Sequence, residues 1–360
     1  METTQRIVFV AVVLARLVVP LFIPRYPLPA IVLSLVIDGV DQTIFQAFHV
    51  THVLRIYQNY DKALDIYYQV IAYTATMRNW RHPLAFRVGQ FLWYYRLVGV
   101  LWFELSDWGP VLLIFPNTFE YYFIAYEAVR VLWRPERMSP RLVIGGAAFI
   151  WVFIKLPQEW WIHVADLDAT DEMGRHPVIA TVLFVVLAAV VGAFVAAVRR
   201  YAPPPDWRPR VLVRAPEADA RPESRREWLE TTGEKAVLLS MITVVFANIV
   251  PNRADALQLA FVTVVVVVLN GGMTELLASA GELPVTLWKR FSVIVAVNAM
   301  IFELIIWLGR RRHVNAVEAF FELFLVSLVI TLYDEYRAIR HGRRTRPPGS
   351  TSKARVAGAT

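Results

Sequence analysis

The sequence predicts an all-α, polytopic membrane protein. Three observations carry that expectation: the composition, the long uninterrupted apolar blocks, and the charge of the loops between them. Of 360 residues, 57% are hydrophobic and only 19% charged, with a mean hydropathy of +0.45. A soluble domain averages about 45–50% apolar and about 25% charged. ATVLFVVLAAVVGAFVAAV (180–198) carries no charge at all, and LQLAFVTVVVVVLNGGM (257–273) and FSVIVAVNAMIFELIIWLG (291–309) are nearly as apolar. Each has the roughly 17–25 residues that a helix needs to cross hydrocarbon.

Taken in order, membrane-crossing helices are expected at 7–23, 28–49, 86–104, 110–132, 142–157, 178–198, 235–250, 255–276, 291–309 and 315–334. That makes about ten, within a range of eight to eleven. METTQR precedes the first apolar run as in a signal peptide, but Arg16 interrupts the run and PLFIPRYP follows where a small-residue cleavage site belongs, so an uncleaved helix is expected. VLRIYQNYDKALDIYYQVIAYTATM (53–77) is too polar and tyrosine-rich for an ordinary span. It reads as an interfacial amphipathic helix, with a short tilted span as the alternative.

The Pro- and Arg-rich APPPDWRPRVLVRAPEADARPESRREW (202–228) offers little material for a core and reads as a cytoplasmic linker. The expected division is therefore a six-helix unit over 1–198, a linker over 199–234, a second unit of about four helices over 235–336, and a basic tail without a fold of its own over 337–360. Arg-rich loops (78–87, 134–141, 199–214) alternate with acidic or neutral ones (104–109, 157–172). Basic loops stay on the cytoplasmic side, which places the protein in the cytoplasmic membrane with its tail inside; GRRRH (309–313) breaks the alternation.

The net charge of +7 does not indicate nucleic acid as a partner. The excess sits beside membrane spans and in RAIRHGRRTR (337–346), where membrane lipids, and anionic inner-leaflet headgroups in particular, are the expected partners. No basic stripe interleaved with stacking aromatics occurs, and the sequence does not fix an oligomeric state. The chain has no cysteine, which removes disulfides, thiol nucleophiles and thiolate metal sites. P-loop, G-x-S-x-G, HExxH and dinucleotide-binding patterns are absent too.

Ionisable residues inside apolar spans carry the functional expectation. Arg16, Asp38, Arg96 and Glu120 lie at similar depth on four helices, with Asp41 beside Asp38, and are expected to form one buried charged centre. A lone charge at that depth costs several kcal/mol or more, so such groups face inward and pair. Gly39 is expected to let its helix bend so that both carboxylates point inward. Glu127, Glu303 and Glu322 are candidate coupling carboxylates for a proton or cation pathway.

Asp38, Asp41 and Gln42 share one helix face, and His49, His52, Asp61 and Asp65 follow. Asp38, Asp41, His49, His52, Asp61 and Asp65 are candidate ligands for a divalent cation. Asp38-Gly39 followed by Asp61-x-x-x-Asp65 is similar to a part of the metal motif of CDP-alcohol phosphotransferases. Leu35 and Tyr57 stand where that motif needs an acid and a glycine, so no residue is carried over.

Outside the membrane, Glu159 and His163 at i, i+4, with Asp166, Asp168, Asp171 and Glu172 after them, form an acidic loop with a weaker metal pattern. The aromatic stretches 91–96 and 117–130 read as packing or as a lining for a lipid tail or sugar. Three functions follow: a permease using buried carboxylates for proton or cation coupling; a membrane-embedded enzyme acting on a lipid or polyprenyl-linked substrate; or a scaffold whose charges only lock its helices.

Overall fold

The computed structural model describes residues 3–48, 51–106, 108–163, 199–214, 225–249, 256–279, 286–309 and 316–345, with separate helical positions between 178 and 198. The side chains of 42, 51–62, 161–163, 225, 247–249, 256–258, 274–279, 304–309, 316–320 and 341–345 lie outside that description. Among the described residues every regular element is helical and no strand occurs. The chain divides into two compact units, Met1–Trp80 with Leu212–Thr360, and Arg81–Val211.

In the first unit, α1 (Thr3–Val18) runs into a 3-10 turn at Val19–Phe22, followed by α2 (Pro27–Ala47) and α3 (Thr51–Asn79). The chain returns after the second unit as α9 (Arg225–Ile249), α10 (Ala256–Ser279), α11 (Leu287–Gly309) and α12 (Ala316–Thr345). Proline in the first turn of α2 costs nothing, because those N–H groups have no partner in a helix. α3 packs against α12, α9, α2 and α1. From Ala63 to Trp80 nearly every side chain is buried, on all faces of the helix.

Over 63–77 the helix lacks the wet face that the interfacial helix expected at 53–77 would keep; the side chains of 53–62 lie outside the described residues. Its hydroxyls go inside because they find partners there. Tyr67 Oη donates to Leu17 O (2.8 Å), Tyr73 Oη to Glu234 (3.0 Å), and Thr74 and Thr76 to carbonyls one turn back. The division expected at the linker also differs from the contacts: α1–α3 belong with the helices after 212, since α3 is the core element around which α9 and α12 pack.

The second unit holds α4 (Pro83–Ser106), the one-turn α5 (Val111–Ile114), α6 (Thr118–Leu132), a 3-10 turn at Pro135–Arg137, α7 (Pro140–Phe149), a π-helical stretch (Ile150–Lys155) and α8 (Leu156–His163). His82 caps α4 by accepting from Ala85 N (3.1 Å), leaving Nε2 to donate to Met138 O (3.1 Å). Ser139 caps α7 by accepting from Leu142 N, with Pro140 at the first position. The start of the expected linker is pinned to this unit. Asp206 accepts from Arg134 N (2.8 Å) and Arg137 (2.7 Å), and Trp207 Nε1 donates to Val131 O (3.1 Å).

Three helices among the described residues are long and apolar enough to cross a membrane: Thr3–Phe22, Pro27–Ala47 and Pro140–Trp160. Leu259–Met273 is apolar but shorter. The span expected at 110–132 is broken after Ile114, and most of 178–198 lies outside the described residues. The outward faces of the three long helices are apolar, with Ile7, Val10 and Leu14 on α1, Leu33 and Val36 on α2, and Phe149 and Phe153 on the third.

Candidate functional site

Along α1 only Val12 and Arg16, one turn apart, are buried, so one narrow face of the helix points inward. Val12 packs with Phe45 and Leu64 and forms an apolar floor. Above it the Arg16 side chain is only 3% exposed and meets three carboxylates. Nη1 donates to Asp41 (2.6 Å), and Nη2 donates to Asp65 (2.8 Å) and to Asp38. Asp38 and Asp41, three residues apart on α2, face the same way, and Asp65 arrives from α3. Asp41 is buried (1%), while Asp38 (26%) and Asp65 (37%) keep access to the outside. α2 runs unbroken through Gly39, and a Cβ there would meet nothing, so no close approach requires the glycine.

A second polar group surrounds the break between α5 and α6 in the other unit. The chain leaves helical geometry at Phe115–Asn117, where Pro116 lacks an N–H. Side chains satisfy the freed backbone. Tyr95 Oη donates to Ile114 O (2.9 Å), Arg96 Nη1 to Phe115 O (3.0 Å), and Asn117 N to Glu159 Oε1 (3.1 Å). Asn117 Nδ2 donates to Glu120 (2.8 Å), and Arg96 lies 4.0 Å from Glu159. Lys155, at the end of the π stretch, donates to Gln158 (3.0 Å) and sits 4.2 Å from the Tyr121 ring centre. Arg96 and Lys155 balance Glu120 and Glu159, and most of the bonds go to backbone. This group does the work of holding a broken helix.

Of the residues expected in one layer, Arg16, Asp38 and Asp41 meet in the first unit, while Arg96 and Glu120 lie with Glu159 and Asn117 in the second. Glu127, a candidate coupling carboxylate, is fully buried and pairs with Arg130 three residues on. Glu303 is exposed on α11, contrary to the burial expected of it. Glu322 lines a cavity among α9–α12.

Among the described residues no three His, Asp or Glu side chains are arranged to hold a metal. Asp38, Asp41 and Asp65, expected among the ligands of a divalent cation, converge on the Arg16 guanidinium. The side chains of His49, His52 and Asp61 lie outside the described residues, as do His163 and 166–172. Glu159, expected in an outer acidic loop, is buried against the helix break. Lys155 and Asn117 were not singled out, although a Lys and a Glu four apart near the end of an apolar helix are a readable sign of an inward-facing pair. The aromatic stretches pack on one another, with Tyr95 4.5 Å from Phe115 and 4.9 Å from Trp151 between ring centres.

Comparison of the chain with protein-family models, with curated proteins and with solved structures finds no match.

Proposed function

We propose that this chain is a multi-pass protein of the cytoplasmic membrane that works as a permease coupled to protons or cations, with Arg16, Asp38, Asp41 and Asp65 as its ion-responsive centre. The membrane reading is supported by the three long apolar helices and their outward apolar faces. A soluble monomer rarely exposes contiguous apolar patches larger than a few hundred Å². The basic loops then lie on the cytoplasmic side, with the remaining apolar segments completing about ten crossings.

One observation carries the coupling: three carboxylates share one buried guanidinium. A structural lock is served by one acid or two. A third adds like-charge repulsion at a place where burial amplifies it. Asp38 and Asp65, partly exposed, give a proton or small cation a way in. Loss or gain of that ion changes which acid holds Arg16, and α1, α2 and α3 are thereby coupled to it. The test is reconstitution into proteoliposomes with an imposed inward proton gradient and a panel of amino acids, sugars, nucleosides and inorganic ions. Gradient-driven accumulation of at least one solute, lost in Asp41→Asn, is the expected result. No accumulation across the panel, or accumulation unaffected by Asp38→Asn and Asp41→Asn, sinks the proposal.

A further inference from the structure

A narrow apolar groove of about 80 Å³ opens between the turn after α1, the start of α11 and α12, lined by Leu21, Pro24, Leu287, Trp288, Leu332 and Tyr336 among others. Thr331 in its wall spends its proton on Ser327 O (2.7 Å). Trp288 is 71% exposed. Three apolar runs have their ends at this groove. The α1 run gives way to Arg25, the α12 run gives way to Asp334 and Glu335, and α11 passes Lys289 and Arg290 before its own run begins. A level at which three runs change from apolar to charged is where a membrane protein meets the headgroups, and tryptophan is enriched there.

The charges at this level are unbalanced in one direction. Glu335 accepts from Arg290 (2.8 Å) and Asp334 from Lys235 (2.7 Å), so both acids are matched. Arg25, Arg214 and Lys289 are exposed and enter no ion pair among the described residues. Arg25 and Lys289 directly follow the lining residues Pro24 and Trp288. Val213 N donates to Arg25 O (2.9 Å), which brings Arg214 to the same place. Arg78 donates to Pro24 O and Arg340 to Trp80 O (3.2 Å), so the basic ends of α3 and α12 lie on this side too. Basic ends mark the cytoplasmic side, whose leaflet holds the anionic lipids. We infer that the groove seats an acyl chain of an anionic phospholipid, whose phosphate faces Arg25, Arg214 and Lys289. The inference rests on the membrane reading and not on the coupling centre.

Native mass spectrometry of the full chain tests it, with release from detergent micelles doped with equal amounts of phosphatidylglycerol and phosphatidylcholine of the same acyl chains. One phosphatidylglycerol is expected to stay bound, at least tenfold in preference to phosphatidylcholine. Arg25→Gln and Lys289→Gln are each expected to lower that preference about fivefold. Leu287→Trp fills the groove, keeps every charge and is expected to remove the bound lipid. Arg6→Gln, an exposed cation at the other end of α1, leaves it unchanged. Equal retention of the two lipids, insensitivity to all three groove variants, or displacement of the lipid by glycerol phosphate, which has no acyl chain, overturns the inference. A chain that alkaline carbonate strips from membranes overturns the membrane reading together with it, whereas a carbonate-resistant chain that retains both lipids alike overturns the lipid site alone.

Discussion

At Arg16 three carboxylates meet one buried guanidinium. Removing the guanidinium leaves three carboxylates facing each other, one of them fully buried. Arg16→Met is therefore expected to cost about 3–5 kcal/mol, the range for breaking a buried pair from one side. Asp65→Asn, at a carboxylate more than a third exposed, is expected to cost well under 1 kcal/mol. Thermal midpoints in one detergent compare the two. Arg16, Asp38 and Asp41 were legible in the sequence because each interrupts an apolar run. Asp65 was read only as a metal ligand, since it sits in a stretch whose tyrosines make it look wet. In the same unit, burial holds the Tyr336 phenol up at about 12, against the opposing pull of the Arg78 guanidinium over its ring. The folded state then keeps a proton that the unfolded chain releases from about pH 10 upward. Stability should be flat with respect to this group below pH 10 and fall by roughly 3 kcal/mol as pH rises through 12. Tyr336→Phe should remove that part of the slope in denaturation measured across the range.

At the scale of elements, the break between α5 and α6 depends on a close approach from α4. A Cβ on Gly99 would lie 2.1 Å from Phe115 Cβ and 2.7 Å from its Cγ. Neither the Phe115 Cβ nor the backbone behind it can swing aside, so Gly99→Ala must push the break away from α4. It should cost about 3 kcal/mol or more, at the upper end of overpacking. Gly39→Ala, where a Cβ meets nothing, should be neutral or slightly stabilising by helix propensity. Thermal midpoints of the two variants check the pair, and equal midpoints would contradict the packing described. Hydropathy drew 110–132 as one span because Pro116 and Asn117 are only two residues in a long apolar run. What ends the helix there is a set of bonds from Tyr95, Arg96 and Glu159, elsewhere in the chain. α3 misled for the opposite reason: its hydroxyls look polar in sequence but are satisfied by partners inside the fold.

At the scale of the molecule, depth along each helix was readable and neighbourhood was not. Arg16 and Arg96 stand at similar depth in their own helices, yet each belongs to a different unit. The all-helical class was legible from apolar blocks, whereas the grouping of α1–α3 with the helices after 212 follows from packing around α3, which no local pattern records. A fragment 1–198 expressed alone should therefore aggregate, with the face of α3 that packs on α9 and α12 uncovered. Co-expression with 199–360 should rescue it, as read by size-exclusion chromatography; a stable, monodisperse 1–198 would contradict the division. Proton entry into proteoliposomes, followed with a trapped pH dye during uptake of a transported solute, separates a coupling centre from a lock at Arg16. The proposal predicts solute-dependent proton entry in the unsubstituted chain and its loss in Asp41→Asn protein that retains its thermal midpoint within a few degrees. Entry that persists undiminished in folded Asp41→Asn protein would show that the three carboxylates only hold Arg16 in place.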